Sequence, residues 1–300
     1  MSLKTLLLPY ISRWLFSRQR LLNKRTQAER QRKAKNAPHR VHYFHQVDDP
    51  YSALTVAALP ALLARYDIEL QVHIVDAPPD SAAPERDKLI AYSRVDAERI
   101  ATRYGLTFKD PGQQPAPEAV ATASACLVAN HEAETFAALA SRLTQNLWKT
   151  GTDLFTGIKV PVASASAVNA HKASANALRN QLGHYLGATF FYAGEWYWGI
   201  DRLYHLEQRL QDVQAQRPGV EGVLFPPVAD LSTPVKCINP PPIDFFFSFR
   251  SPYSAIVAER VFRLAELTGA QVNLRYVLPM VMRGLPVPAA KRQYISHDTA

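Results

Sequence analysis

Two stretches of this 300-residue sequence place an oxygen-bearing side chain immediately before a Pro-Tyr-Ser triplet: Asp49-Pro50-Tyr51-Ser52 and Ser251-Pro252-Tyr253-Ser254. Proline is favoured at the first position of a helix, and Ser or Asp one place earlier is a preferred N-cap. Each stretch therefore marks a helix start, whose unpaired N–H groups and dipole favour a hydroxyl or carboxylate oxygen. The chemistry on offer is hydrogen bonding to a ligand, or proton exchange with it. Thiol–disulfide exchange is not on offer, because neither corner holds a nucleophilic sulfur. The two cysteines, Cys126 and Cys237, are far apart and fit no disulfide framework or metal spacing. Cys126 reads as a small core residue and Cys237 as part of a linker, and a reducing compartment fits this usage best.

The elements that must position these corners repeat along the chain. VHYFHQVDDPYSAL at 41–54 matches IDFFFSFRSPYSAI at 243–256, with Tyr51 and Tyr253 separated by 202 residues. The same offset relates Tyr92 to Tyr294 and Asp96 to Asp298, so an internal duplication is predicted. Each copy opens on an apolar strand, Val41–Phe44 or Ile243–Phe249. After the corner comes helical periodicity over Leu54–Tyr66 or Ile256–Leu267, then a second strand at 69–75 or 271–277. A strand–helix–strand crossover of this length belongs to an α/β domain. The first copy continues with helical segments at 85–104, 116–149 and 165–183. Strands at Thr189–Tyr192 and Trp196–Trp198 follow around an Ala193-Gly194 turn, and an amphipathic helix at Asp201–Leu210 closes the copy. The second copy is incomplete, so either the chain is a fragment of a parent of roughly 400 residues or more, the size two full units need and the favoured reading, or the second copy borrows its missing half.

Composition supports a globular chain, with 47% apolar and 20% charged residues. Residues 1–40 hold eleven Lys and Arg against one acid, Glu29, a charge of +10; the whole chain carries +8, which leaves −2 for residues 41–300. The basic character therefore belongs to an N-terminal arm, and nucleic-acid binding by the domains is not expected. In the arm Leu3, Leu7, Ile11 and Trp14 recur at helical spacing, with Pro9 inside the run. Three readings stay open: an arm lying on an anionic membrane surface, an apolar stripe packed on the chain's own domains, or a contact with RNA or a partner. No apolar run is long enough to span a bilayer, and the arm is a poor secretory signal. Residues 216–242, rich in proline, read as a semi-rigid linker. The organisation predicted is arm 1–40, first domain 41–215, linker 216–242 and second domain from 243.

Three weaker signals are set aside. His39, His42, His45 and His73 form no zinc set, and no metal is expected. His42 and His45 fall on opposite faces of one strand. Trp196, Tyr197 and Trp198 read as hairpin packing rather than a stacking platform for bases.

DFFFSFRSPYSA, LRYVLP and KRQYISHD, with GATFFYAGEWYWGIDRL in the first copy, resemble segments of 2-hydroxychromene-2-carboxylate isomerases. Kappa-class glutathione transferases look similar, and both belong with DsbA-type thioredoxin folds. The resemblance covers about residues 41–210 and 243–300. It implies an α/β, thioredoxin-like fold with a helical insertion, in tandem, and glutathione as co-substrate. It further implies that Ser251 is the catalytic residue, donating a hydrogen bond to the glutathione thiolate; capping of the helix by Ser251 is compatible with that role. Pro252, Tyr253 and Ser254 shape the corner, and Lys291 is a candidate for a substrate carboxylate. The first copy departs from this pattern. Asp49 would repel a thiolate within 4 Å by roughly 1–4 kcal/mol, so Asp49, Pro50, Tyr51 and Ser52 form either a structural cap or a site for another ligand, with Asp49 as base. Ala188, beside Thr189, stands where the family has a cis-proline; a cis bond before a non-proline costs about 2.5–4 kcal/mol, so a trans loop is expected. Asp201 matches a residue contacting the γ-glutamyl amine, or else caps the last helix. Lys88, Tyr92, Asp96 and Arg99 share one helix face, with Lys291, Tyr294 and Asp298 as counterparts.

The function implied is a glutathione-dependent isomerase or transferase acting on an aromatic or unsaturated carboxylate. The alternative is a catalytically inactive thioredoxin-like binding module. A cytoplasmic protein, peripheral at the inner membrane through residues 1–40, is expected, with the two copies forming a pseudo-dimer or the chain a homodimer.

Overall fold

Strand β1 (Arg40–His45) is the axis of the larger unit. The computed structural model describes Trp14 and residues 17–149, 153–227, 231–235 and 237–299. The chain divides into two units, Ser17–Pro227 and one containing Val228–Ala300. In β1, Val41 and Tyr43 point to one face and Phe44 to the other, and all three are fully buried. Helix α1 (Arg18–Ala34) precedes the strand and α2 (Pro50–Arg65) follows it. Strand β2 (Glu69–Ile74) runs parallel to β1, with Tyr43 beside Val72. The sheet is completed by β3 (Thr189–Tyr192), antiparallel to β1 with Tyr43 opposite Phe190, and by β4 (Glu195–Trp198). The order is β2-β1-β3-β4. Ala193 and Gly194 both adopt positive φ, 49° and 92°, as a tight hairpin turn between right-twisted strands requires.

Between β2 and β3 lie α3 (Arg86–Arg103), α4 (Pro117–Ala129), α5 (Ala133–Leu147) and α6 (Ala165–Leu182). Periodicity alone predicts one helix over 116–149. The structure breaks it at Asn130, whose side-chain amide donates to the carbonyls of Cys126 (2.8 Å) and Pro161 (3.0 Å) and so ends α4. Helices α2 and α5 cover one sheet face, burying Leu54, Leu59, Leu62, Phe136 and Leu143. Each such side chain contributes about 1.5–3 kcal/mol. Helix α6 covers the other face, where Ala175, Leu178 and Leu182 meet Phe44, Val75, Phe191 and Trp196. A 3₁₀ turn (Ile200–Arg202) leads into α7 (Leu203–Asp212), which buries Leu203, Leu206 and Leu210 as its spacing predicts. Asp201 lies inside that turn, and Arg202 occupies the cap position of α7, so Asp201 is not the cap.

The arm's Leu3, Leu7 and Ile11 lie outside the described residues, and Trp14 is exposed. Helix α1 has no fully buried residue. It is held by charge: Arg25 makes a two-pronged pair with Glu195 (2.9 and 2.6 Å), and Arg209 donates to the Arg25 carbonyl (3.2 Å). Much of the predicted linker also lies on the larger unit. Gln216 bridges to Tyr66, and Phe225 is buried beside Tyr104. Prolines 226 and 227 follow that anchored stretch.

The second unit contains β5 (Ile243–Phe247), α8 (Pro252–Thr268), β6 (Val272–Tyr276) and α9 (Ala289–Asp298). β5 and β6 are parallel, with Phe245 beside Leu274 and Phe246 beside Arg275. The larger unit pairs Tyr43 with Val72 and Phe44 with His73, so the two registers coincide at the 202-residue offset. β5 and β6 form a two-stranded sheet. Phe246 and Leu274 are accordingly about two-thirds exposed (66% and 64%), while Phe44 and Val72 are buried.

Candidate functional site

Each Pro-Tyr-Ser corner sits at the N-terminus of the helix that follows the first strand of a parallel pair: α2 after β1, and α8 after β5. Proline stands in the first turn of both helices. At the first corner Asp49 is the cap. One carboxylate oxygen accepts from the Tyr51 N–H (3.3 Å), the other from the Ser52 N–H (2.9 Å) and hydroxyl (2.8 Å). The Ser52 hydroxyl in turn accepts from the Gln46 N–H (3.2 Å). Desolvation pushes the Asp49 carboxyl up to about 6, against the pull of its hydrogen bonds from Ser52 and Tyr51. At the second corner Ser251 is the cap, accepting from the Ser254 N–H (3.3 Å). Ser254 repeats the Ser52 role by accepting from the Ser248 N–H (3.3 Å).

A tyrosine–aspartate couple braces each corner. Tyr51 donates to Asp96 (2.8 Å), which also accepts from Tyr92 (3.4 Å). Tyr253 donates to Asp298 (2.8 Å), which also accepts from Tyr294 (3.0 Å). The helix face carrying Tyr92 and Asp96 thus holds the corner rather than merely meeting solvent. Burial, then the Asp96 carboxylate, raises the Tyr51 hydroxyl well above its ordinary range, so it stays a proton donor. Lys88 is exposed and pairs with Glu85 (3.0 Å). Lys291, at the same offset, corresponds to Leu89 and not to Lys88. Burial lowers the Lys291 pKa.

The loop before β3 closes on the first corner. A side chain added at Gly187 would meet Gln46 Cβ at 2.5 Å and Ser52 Oγ at 3.2 Å. The bond before Ala188 is trans, and Ala188 is buried with φ at 53°. Its carbonyl accepts from the Gly199 N–H (2.8 Å), and Trp198 meets the Tyr51 ring edge-on (5.6 Å). Thr189 is buried, with its hydroxyl on the Leu186 carbonyl (3.3 Å). Asp201 pairs with Arg202 and raises the Tyr104 hydroxyl after burial has done so. An L-residue at left-handed φ costs about 1–2 kcal/mol, part of which Gly loses to entropy. Ala188→Gly is therefore expected to stabilise by about 0.5–1 kcal/mol, and Gly187→Ala to destabilise by about 1–3 kcal/mol through the fixed Gln46 Cβ. Urea unfolding checks both; equal effects would contradict this geometry.

Some participants carry no readable sequence signal. Tyr43 and His45 lie under the first corner, with the Tyr43 hydroxyl 3.0 Å from His45 Nδ1. Gln114, from the loop before α4, donates to the Asp48 carbonyl (2.9 Å). On the other sheet face His42 Nδ1 lies 3.0 Å from His73 Nε2, and His171 accepts from the Ile74 N–H (3.1 Å). Among the described residues no group of three or more His, Cys, Asp or Glu is placed to hold a metal ion. A shallow recess lined by Asp80, Ala83 and residues 85–88 shares no residue with either corner.

In the larger unit a parallel β-α-β crossover is followed, beyond a helical insertion, by an antiparallel hairpin on the inner strand and a closing helix, with the corner at the first crossover. This is a thioredoxin-like fold. No protein-family model matches the sequence, and no curated protein matches it. Among solved structures the chain is similar to a 2-hydroxychromene-2-carboxylate isomerase, at 17% identity and a TM-score of 0.45, over 58% of this chain and 95% of that one. Neither corner holds a cysteine; Asp49 and Ser251 present oxygen there.

Proposed function

We propose that the Ser251 corner binds a small thiol, glutathione, in an isomerase or transferase of the hydroxychromene-carboxylate type, and that the Asp49 corner is its degenerate duplicate. The observation that carries this is the cap chemistry. Ser251 accepts one backbone N–H at the head of α8, which leaves its own hydroxyl proton to donate to a thiolate. The dipole of the same helix end favours the anion. The thiolate lone pair would form a C–S bond to an electrophilic carbon conjugated with a carboxylate. The double-bond electrons move onto the conjugated group, the new single bond rotates, and expulsion of the thiolate restores the double bond without net oxidation or reduction. Duplication is supported by the shared strand register, the paired serines and the two tyrosine–aspartate couples.

For the larger unit a non-catalytic binding role is favoured by Asp49, whose oxygens are already engaged by Tyr51 and Ser52. Calorimetry of the full chain with glutathione tests the assignment. Ser251→Ala is expected to weaken binding at least tenfold, about 1.4 kcal/mol, while Asp49→Ala changes it less than twofold. Absence of binding, or loss in Asp49→Ala alone, would overturn the proposal.

A further inference from the structure

We propose that helix α6 is an acid-released clamp on the edge of the larger sheet, and that protonation of His171 frees it from β2 and uncovers the apolar face beneath. Strand β2 ends the order β2-β1-β3-β4. The Val75 N–H turns inward to the His45 carbonyl (2.9 Å), whereas the Ile74 N–H donates to His171 Nε2 on α6 (3.1 Å). A backbone N–H only donates, so that ring nitrogen must be unprotonated. Protonation would set two N–H groups against each other and leave the donor of the edge strand without its acceptor. His184, just past the end of α6, repeats the pattern: its Nδ1 accepts from the Leu186 N–H (3.2 Å), and its ring lies on Trp196 (4.6 Å).

The groups around His171 do not compensate a new charge. His131 meets its ring edge-on, with centroids 5.3 Å apart, and donates from Nδ1 to the Val128 carbonyl (2.8 Å). His73 and His42, joined at 3.0 Å, lie on the sheet face that α6 covers. The acids on the packed elements are engaged or outside: Glu69 pairs with Arg40 (2.9 Å), Asp76 with Lys172 (3.0 Å) and Glu195 with Arg25, and Glu118 of α4 is exposed. Arg179 adds a further cation, on the Asp76 carbonyl (3.1 Å). Burial, then His131, lowers the His171 pKa, and His73 falls to about 4. Both lie below the unfolded value near 6.5, so the hold is complete above about that pH and is lost as pH falls. Helix α6 is also held lightly. It buries Ala175 and Arg179, whereas α2 buries nine residues. An element with few buried contacts opens locally before its whole unit unfolds. Release would uncover Phe44, Val75, Phe191 and Trp196.

Amide hydrogen exchange of the full chain at pH 7 and pH 5, expressed as protection relative to the intrinsic rate, tests this. Between those values α6 and the Ile74 amide should lose protection at least tenfold, on the order of one released histidine acceptor. At pH 5 they should stand at least tenfold below α2 and α5. The double variant His171→Gln, His73→Gln replaces two titrating rings by amides that accept or donate without titrating, and its α6 should lose less than threefold. His171→Phe removes acceptor and charge alike, so its α6 should be poorly protected already at pH 7. Equal protection of α6, α2 and α5 at pH 5, an unchanged acid response in the double variant, or full α6 protection in His171→Phe at pH 7 would overturn the proposal.

Discussion

Glu207→Ala is expected to destabilise the larger unit by about 3–5 kcal/mol, because it strands three buried hydrogen-bond donors at about 1–3 kcal/mol each. Glu207 lies on α7 and is fully buried. Its carboxylate accepts from the Tyr66 hydroxyl (3.0 Å), from the Leu224 N–H (2.8 and 3.0 Å) and from the Phe225 N–H (3.1 Å). No ion pair to Glu207 is found among the described residues, and these hydrogen bonds hold its carboxylate. Truncation would strand a phenol and two backbone donors away from water, each costing about 1–3 kcal/mol. It would also release residues 213–227, whose Phe225 enters the core. Glu207→Gln keeps one acceptor oxygen but brings an NH₂ group against a donor, so about 1–3 kcal/mol is expected. Urea unfolding gives the numbers, and limited proteolysis after residue 213 reads the release. A loss under 1 kcal/mol for the alanine variant would show that the carboxylate does not hold this segment.

Acidification is expected to unfold the larger unit from below pH 6.5 downward. His45 is fully buried, and desolvation drives its pKa down to about 3; His73, by desolvation and the neighbouring His42, falls to about 4. Both lie below the unfolded value near 6.5. Between those limits the unfolded chain binds protons that the native one refuses, so stability falls as pH falls. At 1.36 kcal/mol per pH unit His45 alone accounts for up to about 5 kcal/mol, complete only below pH 3. Asp49 works in the opposite sense. Its raised pKa lets the native state take up a proton between about 6 and 4, which returns up to about 3 kcal/mol as pH falls through that window. His45→Phe removes the titrating ring and should flatten the acid limb, while loss of the Tyr43 hydrogen bond lowers stability at pH 7. Urea midpoints at pH 7, 5.5 and 4.5 decide it; an unchanged acid limb in His45→Phe would remove His45 as the cause.

The strand, helix and hairpin positions were legible because they depend on local pattern. The apolar run at Val41–Phe44, the Ala193-Gly194 turn and the leucine spacing of α7 each report which side chains can be buried together within one element. Both caps were legible for the same reason: Asp49 and Ser251 act on N–H groups two or three residues away. The 202-residue offset, read from letters, reappears as strand register and as the two tyrosine–aspartate couples.

Contacts between distant segments carried no such trace. Asn130 divides a continuous helical pattern because Pro161 supplies a carbonyl 31 residues later. Asp201 reads as a helix cap, yet the chain tightens into a 3₁₀ turn there and Asp201 turns to Arg202. The arm looks like an independent basic segment until Glu195 captures Arg25 across 170 residues. The proline-rich stretch looks like a free connector until Glu207 gathers its backbone N–H groups. Short-range periodicity encodes what an element is, whereas a buried carboxylate finds its partners only after the sheet and helices have brought remote backbone together, and that free energy exists only in the assembled interior.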